Sequence, residues 1–215
     1  MGEPKTAGTD VGPSALEKAR QLLTDKKLLD PREHDIGTIK AYERLQKYWP
    51  VSRRYSDGDI SRIWIYGPGR SGKTRRAYDL CAGLSTFKCD TVNKGWFDGY
   101  DNHEAVILDD YEPDPNDAQA FKLLLSLLDV YPLRVEVKGS TVQWDPKVVV
   151  ITSQLPPWEY YGTYQQGGYR HNVDLSKSEN WSQDMRLRQL MGRIDKVYKM
   201  EKDATEVRFP TEEIF

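Results

Sequence analysis

The chain has 215 residues, 38% hydrophobic and 30% charged, with a formal net charge of −2. This is enough apolar material for one sizeable domain, or one plus a small helical module, and it excludes a disordered chain or a wholesale basic nucleic-acid coat. No stretch reads as a membrane span or secretory signal, and Cys81 and Cys89 make neither a metal motif nor a disulfide framework.

Residues 1–13 are rich in Gly, Pro and Thr and read as a disordered tail, either a cloning remnant or the end of a linker. Ser14 can cap a helix, with Glu17 completing a capping box. Leu16, Ala19 and Leu23 share one face of that helix, which Pro31 breaks. A second helix is expected from Ile36 to Trp49, with Ile36, Ile39, Leu45 and Trp49 as its apolar positions and Pro50 as its stop. Residues 14–50 are thus a helical region too small to fold alone, expected to pack on the main domain or on a neighbouring subunit.

Residues 51–215 carry the main domain. Ile63-Trp64-Ile65-Tyr66 is a short apolar run suited to a buried strand. It leads into Gly67-Pro68-Gly69-Arg70-Ser71-Gly72-Lys73-Thr74, the G-x-x-x-x-G-K-[ST] pattern of a P-loop, and then a stretch without Gly or Pro that can continue as helix through Leu80. Each fixed residue has a physical task. The glycines bring backbone N–H groups close to phosphate oxygens, and the helix that follows presents its positive end. Lys73 reaches the β- and γ-phosphates, and the Thr74 hydroxyl meets Mg²⁺.

Farther along, Ala105-Val106-Ile107-Leu108 is an apolar strand ending in Asp109-Asp110. Two carboxylates there stand at the carboxyl edge of a sheet, where Asp109 can help hold Mg²⁺ and Asp110 can polarise a water. Asn116 can cap a helix with Phe121, Leu124, Leu125 and Leu128 on one face. Arg134 to Val137 and Thr141 to Trp144 read as a hairpin around a Gly-Ser turn. Lys147 to Thr152 holds a buried parallel strand, and Thr152-Ser153-Gln154 at its end offers polar groups to a γ-phosphate. Residues 160–180 read as a mobile loop and Met185 to Tyr198 as helix. His34, His103 and His171 are isolated and read as surface or loop residues. Asn93-Lys94 lacks the aspartate that reads guanine, because position 96 is Trp, so adenine or a loose base preference is expected. The alternation argues an α/β fold with a mainly parallel sheet.

The set of motifs resembles the helicase domain of the replication initiator (Rep) proteins of circular single-stranded DNA viruses, of the circovirus-like kind. These are superfamily 3 helicases, related to AAA+ ATPases. The matching stretches are the Gly67–Thr74 P-loop, Trp96-Phe97-Asp98-Gly99-Tyr100 leading to Asp109-Asp110, Tyr131 to Ser140, and Val150-Ile151-Thr152-Ser153. The resemblance implies a P-loop NTPase fold with a β-hairpin insertion and an N-terminal oligomerisation bundle over residues 14–50. It implies ATP and Mg²⁺ as cofactors, a hexameric ring, single-stranded DNA as partner and 3′-to-5′ movement. It assigns DNA contact to the hairpin tip, Lys138, Gly139 and Ser140. It assigns the arginine finger to Arg193, for which the residues alone leave Arg186 and Arg188 as competitors, and the site of the viral protein to the host nucleus, or the cytoplasm for a prokaryotic host. Gln154 stands where the family has Asn, so its catalytic role carries an extra methylene. The N-terminal nuclease motifs of the family are missing, which makes nicking or joining of DNA an unexpected activity here. Two other readings remain open from the residues: a small-molecule kinase, and a nucleotide-gated assembly module that binds DNA without unwinding it.

Overall fold

The computed structural model describes residues 12–25, 27–49, 60–90, 95–162, 185–201 and 207–210, the last as backbone only. The chain divides into two compact units, Met1–Pro50 and Val51–Phe215.

In the first unit α1 (Ala15–Thr24) packs on α2 (Ile36–Tyr48). Ser14 caps α1 by accepting from Glu17 N, and the Glu17 carboxylate returns the bond to Ser14 N at 2.8 Å, the capping box expected. Ala19 and Leu23 are buried, but Leu16 is exposed. The buried face of α2 is rotated from the one expected. Ile36 is 71% exposed, while Thr38 and Tyr42 are buried. The cause is the cap: Asp35 accepts from both the Thr38 amide and its hydroxyl, at 2.9 and 2.8 Å. A threonine with its polar groups satisfied can be buried, and it turns Tyr42 one helical turn later toward α1.

The second unit is built on a six-stranded sheet ordered β2-β3-β6-β1-β7-β8. The members are β1 (Ser61–Tyr66), β2 (Thr86–Cys89), β3 (Ala105–Leu108), β6 (Val148–Ser153), β7 (Lys196–Lys199) and β8 (Val207–Pro210). The first five are parallel and β8 closes the edge antiparallel to β7. Runs such as Ile63-Trp64-Ile65 are apolar on both faces because both faces are covered. Ile63, Ile65, Ala105, Ile107 and Val150 pack on one side with Ala77 of α3 (Lys73–Leu80) and Cys81, which caps its end. Trp64, Val106, Leu108, Val149 and Ile151 point to the other, larger cluster. That cluster takes in α4 (Ala118–Leu128), the hairpin of β4 (Arg134–Val137) and β5 (Ser140–Gln143), α5 (Pro157–Tyr161) and α6 (Met185–Met191). Two buried indoles are also hydrogen-bonded: Trp64 Nε1 donates to Leu155 O at 3.1 Å and Trp144 Nε1 to Leu127 O at 2.9 Å. Both cysteines are buried thiols outside any disulfide, and burial pushes Cys81 up to about 11.

Several expectations need correction. The cap of α4 is Asp117, not Asn116: the Asp117 carboxylate accepts from the amides of Gln119 and Ala120 at 2.9 Å. Leu127 rather than Leu125 completes the buried face of that helix. The hairpin turns at Lys138-Gly139, with Val137 paired to Ser140, because Gly139 takes the positive φ of 77° that the turn demands. Helix is not continuous from Met185 to Tyr198. It ends at Met191, Gly192 follows, and Lys196–Lys199 pairs with β1 instead. Glycine is a poor helix former, and Val197 and Tyr198 gain more as a buried strand. Tyr160 and Tyr161 belong to α5, where Tyr161 is fully buried, so the expected loop does not begin at residue 160; residues 163–180 of that expectation lie outside the described residues. His103 does lie in a loop, as expected, but half-buried against Phe87 and Tyr100, with ring centroids 5.6 and 5.8 Å away, and its Nδ1 accepts from Asp101 N at 3.1 Å. His171 and Asn93-Lys94 lie outside the described residues.

Candidate functional site

The strand order explains where the site forms. β6 lies between β1 and β3, in register such that Tyr66 pairs with Ser153 and Leu108 with Ile151. The P-loop leaves the end of β1, Asp109-Asp110 leaves the end of β3, and Thr152-Ser153 ends the strand between them. All three meet at one carboxyl edge, the place where open α/β sheets bind ligands.

The loop turns through Gly67 at φ 152°, Arg70 at φ 63° and Gly72 at φ 87° before α3 begins at Lys73. At Gly67 a Cβ would overlap the carbonyl oxygen of Met200, which runs alongside. The buried Lys73 ammonium donates to the Gly67 and Pro68 carbonyls at 2.8 and 2.9 Å. Ser71 Oγ is buried yet has no hydrogen-bond partner among the described residues. An orphaned hydroxyl and a helix N-terminus in a glycine turn suit an anion with several acceptor oxygens. A cleft of about 600 Å³ opens here, lined by the loop from Gly69 to Arg75 and by Asp110, Glu112 and Gln154.

Asp109 sits beneath that cleft, its side chain 8% exposed. Its Oδ1 accepts from the Thr152 hydroxyl at 2.7 Å and the Thr74 hydroxyl at 2.9 Å, and its Oδ2 faces Lys88 Nζ at 3.3 Å. Burial is the largest single influence and pushes the carboxyl up, but the bonds from Thr152, Thr74 and Lys88 together outweigh it. The group is held below the ordinary carboxylate range. Thr152 Oγ1 also accepts from the Asp110 amide at 2.9 Å, which fixes Asp110 with φ 46° and its carboxylate exposed to the cleft. Thr74 and Asp109 are hard oxygen donors already in contact, a set that fits Mg²⁺ completed by phosphate oxygens and water. No cluster of three or more His, Cys, Asp or Glu makes an all-protein metal cage among the described residues.

The remaining residues read from the sequence are spread more widely. Gln154 lines the cleft, where its amide donates to the Glu112 carboxylate. Arg193 is not at this cleft. It precedes β7, toward the opposite sheet edge, and donates to Asp129 Oδ2 at 2.7 and 3.0 Å and to Gln189 O at 2.8 Å. Arg186 donates to Pro115 O at 2.8 Å and lies over the Phe121 ring. Lys138 is exposed at the hairpin tip beside Gly139, and Ser140 begins β5. Sequence reasoning named no role for Asp98, whose carboxylate accepts from the Lys138 amide, nor for Phe97, whose amide donates to Glu136 O at 3.0 Å. The two strap the hairpin to the segment leading into β3. Lys88 was also missed, since a lone lysine in a short edge strand carries no pattern.

Residues 63–155 match the family model described as RNA helicase. The chain is 38% identical to the replication-associated protein of goose circovirus, over 75% of this chain and 53% of that protein. It is 33% identical to the one from porcine circovirus 2, over 61% of this chain and 41% of that protein. The match to the pigeon circovirus protein is 40% identical, over 52% and 32%. Over these stretches the chain is similar to the helicase part of circovirus replication-associated proteins. The matches span about a third to about half of the relatives' own length. The Rep-type resemblance of the motifs, the mainly parallel P-loop sheet and the added hairpin therefore agree with one another. No described helix is long and apolar enough to cross a membrane.

Proposed function

We propose that this Rep-type domain is an ATP-hydrolysing motor that moves on single-stranded DNA during rolling-circle replication. The observation that carries the reading is that Asp109 and the Asp110 amide both bond Thr152 while Asp109 also bonds Thr74 of the P-loop that holds Lys73, all at one sheet edge. Amides of residues 69–74 cradle the phosphates, and Lys73 exchanges the two loop carbonyls for phosphate oxygens. Mg²⁺, when bound at Thr74 and Asp109, neutralises charge on the phosphates. Asp110 accepts the proton of the attacking water, and Gln154 orients groups at the rim of the cleft. Arg193 serves a neighbouring subunit of a ring, a role that its distance from the chain's own cleft supports and that requires it to leave Asp129. Residues 14–50 join the subunits, Lys138, Gly139 and Ser140 contact the strand, and the movement runs 3′ to 5′. The work is done in the host nucleus when the host is eukaryotic.

The test is ATP turnover with and without single-stranded DNA, with single-stranded RNA in parallel, alongside a strand-displacement assay of each polarity. DNA-stimulated turnover that Lys73→Ala abolishes, with displacement of the strand, is expected. Stimulation by RNA alone transfers the motor to RNA. Phosphoryl transfer to a small acceptor, or nucleotide-dependent assembly without displacement, refutes the motor.

A further inference from the structure

Lys88 occupies a position that the P-loop reading leaves unexplained. It lies on β2, next to β3, with Lys88 in register with Ile107 and the Cys89 carbonyl accepting from Asp109 N at 3.0 Å. From there its ammonium reaches over the end of the sheet, 2.6 Å from Asp90 Oδ1 and 3.3 Å from Asp109 Oδ2. The two acids differ in setting. Asp109 is 8% exposed and its other oxygen already takes two hydroxyl donors, whereas Asp90 is 63% exposed. Both carboxylate oxygens of Asp109 are therefore engaged, and Lys88 holds the one that the Thr74 and Thr152 hydroxyls leave.

We propose that Lys88 is a built-in counter-cation of Asp109 that competes with the divalent ion and so sets how much Mg²⁺ the site needs; this rests on the nucleotide-site reading above. A divalent ion, or water in its first shell, that comes to Asp109 Oδ2 meets an ammonium at the same oxygen. Like charges a few ångströms apart in a partly desolvated site oppose one another strongly. Asp90 gives the displaced ammonium a second carboxylate to stay on, so the exchange does not strand a charge. A lysine kept only for a surface ion pair would be satisfied by Asp90 alone and would add little.

The experiment follows Mn²⁺ in place of Mg²⁺, by loss of the free-ion electron paramagnetic resonance signal, on the full chain with ADP and without turnover. Lys88→Met and Lys88→Gln lower the Mn²⁺ dissociation constant about fivefold, and Lys88→Arg leaves it near the wild-type value. Asp90→Asn weakens Mn²⁺ in the wild-type background, because Lys88 then rests on Asp109 alone, and loses that effect in the Lys88→Met background. Unchanged or weaker Mn²⁺ binding in both neutral variants overturns the proposal by making Lys88 a mere support of Asp109. An undiminished Asp90→Asn effect in the Lys88→Met background overturns it too, since charge acting through space then suffices. A wild-type chain that binds no Mn²⁺ with ADP overturns the nucleotide-site reading itself.

Discussion

Thr152 is the side chain on which the two halves of the site depend, and Thr152→Val removes its hydroxyl at nearly constant shape. The wild-type hydroxyl is fully buried, donates to Asp109 Oδ1 at 2.7 Å and accepts from Asp110 N at 2.9 Å. The first bond is to an ionised group, worth about 1.5–3 kcal/mol, and the second is an ordinary one worth about 1 kcal/mol. Loss of both leaves the part-buried Asp110 amide and part of a buried carboxylate unpaired, so the expected cost is about 2–4 kcal/mol. For a chain of this size that lowers the melting temperature by roughly 5–15 °C. Thr152→Ser keeps the hydroxyl and is expected to cost about 1 kcal/mol, the value of one buried methyl. The deficit of the valine variant has a pH signature. Asp109 lies below its ordinary range in the folded protein, so the stability it contributes is present above the unfolded pKa and is lost as pH falls through the folded one. Urea melts of the two variants should differ fully at neutral pH and draw together in acid. Nucleotide turnover should fall in the valine variant more than nucleotide binding, because Asp110 loses its anchor. Equal stability of the valine and serine variants at neutral pH would refute the argument that this hydroxyl ties the site together.

Asp110→Asn should still bind ATP but hydrolyse it at least about a hundredfold more slowly, since asparagine tolerates the positive φ of 46° and lacks only the base; unchanged kcat moves the base elsewhere. Lys138→Ala should reduce the stimulation of turnover by single-stranded DNA and flatten the dependence of DNA binding on log salt by about one, the value of one phosphate contact. DNA binding with its salt slope intact would leave the hairpin tip without a contact. Gly67→Ala should destabilise the domain by about 3 kcal/mol, because an alanine there is strained at φ 152° and strikes the Met200 carbonyl; a melting temperature equal to wild type would sink this reading.

The sequence by itself determined the parts list of the site. Glycine spacing, a lysine-threonine pair opening a helix and two acids ending an apolar strand are local patterns, and each is tied to backbone geometry that neighbouring residues dictate. Residues 105–108 are therefore a strand where the apolar run places one, and the P-loop leads into α3 as the absence of Gly and Pro implies. The tertiary structure alone decided which parts meet. Chain order does not reveal that β6 inserts between β1 and β3, yet that insertion makes Thr152 the bridge between Thr74's partner Asp109 and the Asp110 amide. The same holds for Lys88 on its half-exposed edge strand, for Arg193 and its ion pair with Asp129, and for β7, whose Val197 and Tyr198 read as helix until pairing with β1 buried them. Local propensities differ by a few tenths of a kcal/mol per residue, whereas burial of one such side chain is worth about 2 kcal/mol, so packing overrules the local preference wherever the two disagree.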